Sequence, residues 1–344
     1  MTTTALRSVL AAIAVASLAA SCSAARIQPT PDGYAKAGAS ALARGDYEAA
    51  ERDFRSAIAA GGDGEAAAIS RDMLRELYGA RLYPDSVDAC PATAQQAYHD
   101  AEEEFGKGGY AAASELFRAA ADQCPSSATI RVSWADTFYR QGDYERSSAM
   151  FHEALAIDPW NRAAWRYLAD AESRRGRPYA AWEASLFAVL SDPTYEMAWV
   201  YLGRYGSGPL RRVRADKPRT TIDGGTPTLH IDPDQPDPDR WMSYALSGLA
   251  ASGGTPLDRE RKRVEEVLAM HPVPSQSPAN PGFWEQMQAA KEAGYLDEAI
   301  FVHMIDADLA PEYASYRDAH RDRLVGYMRT LVTTPPPSPK SGAA

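Results

Sequence analysis

The chain has 344 residues, of which 45% are hydrophobic, and this is enough for a sizeable folded core. Its formal net charge of -10 argues against nucleic acid as the main partner. After residue 20, no segment reaches the run of about 18 uninterrupted apolar residues that would predict a membrane-spanning helix.

The first segment predicts that the protein is exported. Arg7 precedes an apolar run over residues 9–20, which is too short to cross a bilayer and is followed by small residues. This order is typical of a secretory signal peptide, here residues 1–21. We expect a linker over 23–33 to follow it.

Residues 18–22, Leu-Ala-Ala-Ser-Cys, resemble the lipobox of bacterial lipoproteins, in which the cysteine is acylated and becomes the mature N-terminus. The resemblance implies a lipid anchor at Cys22 and a protein that is held in the outer membrane and faces the periplasm. The alternative is cleavage by the general signal peptidase. Cys22 would then be incidental, and the protein would be soluble in the periplasm or secreted.

The middle of the chain repeats with a period of 34 residues. The prolines at Pro125, Pro159 and Pro193 mark the period. Small residues recur at the same step, in the columns Ala101, Ala135, Ala169 and Gly203, then Gly108, Gly142 and Gly176, then Ala120, Ala154 and Ala188. A period of this length matches one helix-turn-helix unit and predicts a solenoid of stacked hairpins. An ordinary amphipathic bundle is the alternative, but it has no reason to keep a fixed step.

The residue types agree with a hairpin repeat. Alanine or glycine allows two helix backbones to cross closely, and proline ends the second helix because it cannot extend one. Glycine followed by aspartate and tyrosine closes the turn, as at Gly142 to Tyr144. Phe151 and Ala154 are three residues apart, which places them on one face of the second helix.

These residues resemble the tetratricopeptide repeat family. The segments Trp165 to Ala169 and Trp199 to Gly203 match the start of the family's pattern, and Ala113 to Phe117 matches a later part of it. The resemblance covers residues 34–206 and implies an all-α solenoid there. Its first copy has Gly62 in place of the proline, and a shortened unit is expected over 66–88.

Past Gly206 the repeat breaks. Residues 207–239 are rich in Pro, Gly and Asp and read as a linker, with a β-hairpin turn at Asp223-Gly224-Gly225. A helical C-terminal region is expected over 240–332. It is predicted to contain helices over 239–251 and 256–270, a degenerate repeat hairpin over 283–311 and a last helix over 312–332. The Pro- and Ser-rich residues 333–344 are predicted to be a disordered tail.

The chain has three cysteines, so an exported protein would have an odd one unless Cys22 is lipidated. Cys90 and Cys124 would then remain. They lie at the two ends of one predicted antiparallel hairpin, which brings them together. A disulfide there would contribute roughly 3–4 kcal/mol in the loop-entropy model. The alternative is two buried free thiols.

The sequence offers little sign of chemistry. The six histidines are scattered, no metal-ligand or nucleophile motif is present, and we expect neither enzymatic activity, nor a cofactor, a metal or a small-molecule substrate. His303 falls where other copies have Phe117 or Phe151, so it reads as a core residue. The acidic run Asp232, Asp234, Asp237 and Asp239 reads as a solvated linker and not as a calcium site.

Two sets of residues are candidate binding sites. In the family, side chains of each first helix that are not used in core packing line a concave groove, which takes an extended peptide or a partner helix. The matching residues are Tyr98, Glu102, Phe105, Asp136, Tyr139, Arg140, Arg166, Asp170 and Arg204. A basic cluster suited to anions comprises Arg211, Arg212, Arg214, Lys217 and Arg219. An ordinary solvated helix face and a charged strand edge are the respective alternatives.

The sequence therefore predicts a lipid-anchored scaffold that binds another envelope protein in the groove of its repeats. The competing hypothesis places an enzyme or a glycan-binding module in residues 207–332, with the repeats as an accessory.

Overall fold

The computed structural model describes the chain in segments. These are residues 30–44, 47–61, 64–67, 69–70, 73–74, 87–213, 215, 217–223, 226–230, 236–250, 253–273, 282–306 and 308–337. The signal peptide, Cys22, Arg214, Asp232 and Asp234 lie outside them, as does most of the predicted shortened unit. The described residues form two compact units, one with the segments before residue 80 and 219–230, the other with the segments from 87 to 218 and from 236 to 337.

The fold class is all-α. The helices in chain order are α1 (Pro31–Ala43), α2 (Tyr47–Gly61), α3 (Ala92–Gly106), α4 (Tyr110–Gln123), α5 (Ala128–Arg140), α6 (Tyr144–Ile157), α7 (Arg162–Arg174), α8 (Pro178–Ser191), α9 (Glu196–Tyr205), α10 (Pro238–Ala250), α11 (Pro256–Met270), α12 (Phe283–Glu292), α13 (Leu296–Met304), α14 (Ala310–Ala319) and α15 (Arg321–Tyr327). A 3₁₀ turn over Val87–Ala89 precedes α3, and a π-helical turn over Met328–Val332 follows α15. Two short strands, β1 (Arg219–Asp223) and β2 (Thr226–His230), pair antiparallel with Asp223 opposite Thr226. Within the described residues, no helix is long and apolar enough to cross a membrane.

The first unit contains the hairpin of α1 and α2. Thr30 caps α1, because its hydroxyl accepts a hydrogen bond of 3.1 Å from the backbone N–H of Gly33. Phe54 of α2 is buried against α1. A Cβ atom at Gly38 would lie 2.7 Å from the Phe54 ring, so only glycine lets the two helices approach this closely. This hairpin therefore uses the small-against-large packing that the sequence predicts.

The second unit begins with three hairpins, which pair α3 with α4, α5 with α6, and α7 with α8. The turns between paired helices contain Gly108, Gly142 and Gly176, whose φ angles are +82°, +82° and +72°. Glycine adopts this left-handed conformation at no steric cost, which explains the glycine column. The alanine columns Ala101, Ala135, Ala169, Ala120, Ala154 and Ala188 are fully buried.

The junction between hairpins is closed by one recurring hydrogen bond. The side chain six residues after each repeat proline donates to the carbonyl of that proline: Arg131 to Pro125 at 2.7 Å, Trp165 to Pro159 at 2.8 Å and Trp199 to Pro193 at 2.9 Å. The bonds fix the path of the chain from one hairpin to the next. A tryptophan or an arginine can make the same bond, since both carry a long N–H donor.

The first helices of successive hairpins form one wall. Each of them contacts the next, since α3 contacts α5, α5 contacts α7 and α7 contacts α9. Side-chain caps fix the starts of α5 and α7, as Ser127 accepts from Ile130 N–H at 3.3 Å and Asn161 accepts from Ala164 N–H at 2.9 Å. Residues at one repeat position therefore lie in a row across this wall.

In the described residues, no second helix follows α9 directly. After α9, residues 206–213 run without regular structure, and a Cβ atom at Gly203 would lie 3.4 Å from Leu210 of that segment. Leu210 of this segment thus lies beside Gly203 on α9.

The helical C-terminal region is not a separate domain from the repeats. One hydrophobic core runs from Trp160 and Trp182 in the repeats to Trp284, Tyr313 and Tyr327 in the C-terminal helices. Hydrogen bonds cross it, from the Tyr313 hydroxyl to Leu190 O at 2.5 Å and from Arg317 to Ser191 O at 2.8 Å. The predicted linker over 207–239 therefore separates two parts of the sequence that share one hydrophobic core.

Two predictions for the C-terminus are wrong. The single helix expected over 312–332 is broken at His320 into α14 and α15 and ends in the π-helical turn. The disorder expected from Thr333 does not begin there, because Thr333 is buried and accepts a hydrogen bond of 3.1 Å from the Trp182 indole N–H. Thr334 O accepts from Ser207 N–H at 3.1 Å, and Pro335 O accepts from the Ser207 hydroxyl at 2.6 Å.

Candidate functional site

The predicted groove residues lie together on one side of α3, α5, α7 and α9, which we call the first-helix face. Its members are Tyr98, Glu102, Phe105, Asp136, Tyr139, Arg140, Arg166, Asp170 and Arg204. Arg140 and Arg204 are exposed and the others are half-buried. The sequence predicts that Asp136, Tyr139, Arg166 and Asp170 are exposed, and this is wrong in degree, because neighbouring side chains of the face cover them in part.

The α3–α5 part of the face is acidic and aromatic. The Tyr98 hydroxyl lies 3.4 Å from the Ser133 hydroxyl, and the Arg140 guanidinium lies 5.6 Å from the centroid of the Phe105 ring. Asp136 pairs with Arg140 at 3.7 Å, a long ion pair. Burial raises the pKa of Asp136, and Glu102 raises it further, whereas Arg140 and Arg166 oppose the shift.

The α7–α9 part of the face is basic and rich in tyrosine. The Arg166 guanidinium lies 3.6 Å from the centroid of the Tyr167 ring and 5.4 Å from that of Tyr201. Arg204 lies 4.8 Å from the centroid of the same Tyr201 ring. The Tyr205 hydroxyl donates to Asp170 at 2.9 Å. Burial and the Asp170 carboxylate together raise the pKa of Tyr205 to about 12, so this hydroxyl keeps its proton.

Sequence reasoning missed two tyrosines, Tyr167 and Tyr201, that lie against the arginines of this face. Tyr167 and Tyr201 stand one period apart, one residue after Arg166 and Val200 in their helices. The signal that could have found them was therefore a further column of the same repeat. These rings hold the arginines by cation–π contact and shape the face.

The predicted anion-binding cluster is paired internally. Arg212 forms two hydrogen bonds with Glu196, at 2.6 and 2.8 Å. The Lys217 ammonium lies 2.7 Å from Asp306 and 3.8 Å from Glu260. Arg214 and the Arg219 side chain lie outside the described part of the structure. The prediction of an anion site is therefore wrong for Arg212 and Lys217, because carboxylates of the same chain neutralise both.

His303 is a core residue, as the sequence predicts. It is buried, one ring nitrogen lies 2.7 Å from the Tyr327 hydroxyl and the other lies 3.1 Å from Val213 O. Burial lowers the pKa of His303 to about 3, so the ring is neutral at ordinary pH.

Cys90 and Cys124 form a disulfide, with an S–S distance of 2.10 Å. It joins the residue after the 3₁₀ turn to the residue after α4, and both cysteines are buried. Asp237 of the acidic run pairs with Arg240 at 3.0 Å. Among the residues that the structure describes, no group of three or more His, Cys, Asp or Glu side chains could hold a metal ion.

Comparisons with known proteins concern the repeats. Several solved structures resemble the chain. The first tetratricopeptide domain of Spaghetti (RPAP3), bound to an HSP90 peptide, matches at 15% identity and a TM-score of 0.32, over 33% of this chain and 90% of that one. The Yersinia enterocolitica type III secretion chaperone SycD, in complex with a peptide of the translocator YopD, matches at 14% identity and a TM-score of 0.32, over 33% of this chain and 93% of that one.

The TPR2AB domain of yeast Sti1 in an HSP90 complex matches at 16% identity and a TM-score of 0.32, over 51% of this chain and 67% of that one. No curated protein sequence matches the chain closely. Residues 128–171 match the sequence model of the tetratricopeptide repeat family. That segment is the α5–α6 hairpin followed by most of α7, so the chain contains a tetratricopeptide repeat.

Proposed function

We propose that the protein is a scaffold that binds a segment of another protein, as an extended peptide or a helix, on the first-helix face. One observation carries the proposal. Four first helices stand side by side, and the aromatic and charged side chains in their shared rows are left half-buried or exposed.

The chemistry of the face suits a protein partner. Tyrosine and arginine provide large, rigid contact areas with polar ends, and they dominate binding at protein interfaces. Here the arginines are stacked on tyrosine rings, so their positions are fixed before a partner arrives. A preordered face loses less conformational entropy on binding.

We further propose that the scaffold is anchored by lipid at Cys22, faces the periplasm and binds an envelope protein. Support comes from the signal-like and lipobox-like residues 7–22 and from the disulfide of the second unit. Disulfides persist in oxidising compartments such as the periplasm.

The docking proposal is tested by photocrosslinking in the full-length protein. A photoreactive amino acid replaces Tyr139 on the first-helix face, and the matched control replaces Glu153, which is exposed on α6. We expect a discrete crosslinked protein from position 139 in intact cells and none from position 153. Equal crosslinking from both positions, or none from position 139, would contradict the docking face.

A further inference from the structure

We propose that the α7–α9 part of the first-helix face is a subsite for an acidic side chain of the bound peptide, next to an apolar side chain that packs on α9. The inference rests on the proposed function, because it specifies what the same face recognises. The partner is thus a protein segment in which Asp or Glu stands close to an aliphatic or aromatic residue.

The first argument is that Arg166 has no ion-pair partner in direct contact. Among the described residues, no carboxylate oxygen lies within 4 Å of its guanidinium, and its one hydrogen bond is a long one of 3.5 Å to the Tyr201 hydroxyl. The guanidinium is half-buried, so water satisfies its five donors only in part. An incoming carboxylate would form charge-assisted hydrogen bonds there.

The second argument concerns the carboxylates nearby. Asp136 and Asp170 both interact electrostatically with Arg166, but each has a closer partner. Asp136 pairs with Arg140 at 3.7 Å, and Asp170 accepts a hydrogen bond of 2.9 Å from Tyr205. Arg166 is therefore left available for a carboxylate from outside the chain.

The third argument is that a second arginine lies beside the first. Arg166 and Arg204 are both within 5.4 Å of the centroid of the Tyr201 ring. Arg204 is exposed and, like Arg166, has no carboxylate within ion-pairing distance in the described structure. The Tyr201 ring thus has two cationic groups beside it, which make this part of the face more positive, and cation–π contact limits their motion.

The fourth argument is apolar exposure at the same place. Met197 and Val200 on α9 are 42% and 50% exposed, and their spacing of three residues places them on one side of the helix. Val200 occupies on α9 the repeat position that Arg166 occupies on α7. An extended peptide that places a carboxylate at Arg166 reaches Val200 within about three residues, since adjacent helices are about 9 Å apart and each extended residue spans about 3.3 Å.

The experiment uses a phage-displayed library of random 12-residue peptides, selected on the purified full-length protein. A selected peptide is then synthesised in its original form and with its acidic residue changed to the amide. Both forms are titrated by fluorescence anisotropy against the wild type and Arg166→Ala. Arg118→Ala is the matched control, because Arg118 is an exposed arginine on α4 that pairs with Glu115.

We expect selected peptides to share an Asp or Glu next to an apolar residue. Either single change, Arg166→Ala or acid to amide, should weaken binding at least about tenfold, because a charge-assisted hydrogen bond is lost. Making both changes should weaken it little further, since they remove the same interaction. Arg118→Ala should bind as the wild type does, and thermal melting should show that every variant is folded.

The outcomes separate the two proposals. Peptides that crosslink to position 139 but keep their affinity after the amide change or after Arg166→Ala would overturn the acidic subsite and leave the docking face intact. Fully additive losses would overturn the subsite as well. A selection that yields no peptide at the first-helix face would overturn the proposed function and the subsite together.

Discussion

Tyr205 on α9 donates a hydrogen bond of 2.9 Å to Asp170 on α7, and the two residues are 35 positions apart. Two other contacts between first helices have the same separation: the Tyr98 hydroxyl lies 3.4 Å from that of Ser133, and Arg166 donates to Tyr201 at 3.5 Å. The separation is the repeat period plus one residue. Adjacent first helices are therefore offset by one residue, and polar bonds between them hold that offset.

The alanine column should not tolerate a larger side chain. Ala169 is fully buried between helices, so we expect Ala169→Leu to destabilise the protein by roughly 1–3 kcal/mol through overpacking. Ala112→Leu is the matched control, because Ala112 is exposed on α4. Urea unfolding of both variants measures the difference. Equal stability of the two would show that Ala169 does not belong to the buried column and that the assigned repeat register is wrong.

Asp136 should contribute to binding and little to stability. Burial and Glu102 raise the pKa of its carboxyl group, which means that the folded protein does not favour the charged form. We therefore expect Asp136→Ala to leave the melting temperature nearly unchanged and to reduce crosslinking from position 139. A large fall in melting temperature would assign Asp136 to the fold and remove it from the docking face.

Replacing Gly142 should lower the stability of the protein because of its backbone conformation. Its φ angle is +82°, a conformation that costs roughly 1–2 kcal/mol for a residue with a Cβ atom. Gly142→Ala should lose about that much stability, although no atom lies within 4 Å of the added methyl group. Gly106→Ala, at the end of α3 with equally free space, is the control and should be neutral or slightly stabilising. Thermal denaturation compares the two, and equal losses would contradict the backbone explanation.

The neutral His303 ring predicts a loss of stability in acid. Its folded-state pKa of about 3 lies below the ordinary value of 6.5, so the unfolded state takes up the proton first as the pH falls. The stabilisation is complete above about pH 6.5 and decreases as the pH falls towards 3, by up to about 1.4 kcal/mol per pH unit.

Unfolding in denaturant at pH 7, 6 and 5 measures this slope. We expect His303→Gln to flatten it. His152→Gln is the matched control, because His152 is exposed on α6, and it should keep the slope of the wild type. An unchanged slope in His303→Gln would mean that other groups carry the acid sensitivity.

The disulfide between Cys90 and Cys124 can be tested separately from the proposed lipid anchor at Cys22. In protein isolated without reductant, Cys90 and Cys124 should resist alkylation until reduced, and their joint replacement by alanine should cost roughly 3–4 kcal/mol, since the bridge spans 34 residues. Mass spectrometry of the alkylated protein detects the outcome, and free thiols would contradict the bridge.

Anchoring is tested at Cys22. Cys22→Ser should abolish labelling by a fatty-acid analogue and release the protein from membranes, because stable anchoring requires more than one acyl chain on that residue. Labelling that persists in the variant would rule out the lipid anchor at this position.

The repeat determined how far the sequence could predict this structure. Ala135, Gly142 and Phe151 recur at a fixed step, and their packing depends on neighbours inside the same period, so their positions could be read directly. Thr333 has no periodic counterpart. Its burial depends on Trp182, which is 151 residues away, and no local pattern indicates such a contact.

The candidate site was predictable in position but not in environment. Stepping by the period placed Asp136, Arg166 and Asp170 on one face. The environment of Arg166 comes from Tyr167 and Tyr201, whose rings lie against it, and that of Asp170 comes from Tyr205 on the next first helix. The basic cluster failed as a site because Asp306 pairs with Lys217 across 89 residues, a contact that charge counting along the chain cannot reveal.

The extended segment after α9 has a consequence for assembly. Stacked hairpins present an open end on which another hairpin, from the same chain or from a second copy, can add. Leu210 lies beside that end at Gly203, and its segment is held by backbone hydrogen bonds from Ser207 to Thr334 and from Arg211 to Val332. A hairpin that packed on this side of α9 would therefore have to displace Leu210 and break the hydrogen bonds that hold its segment.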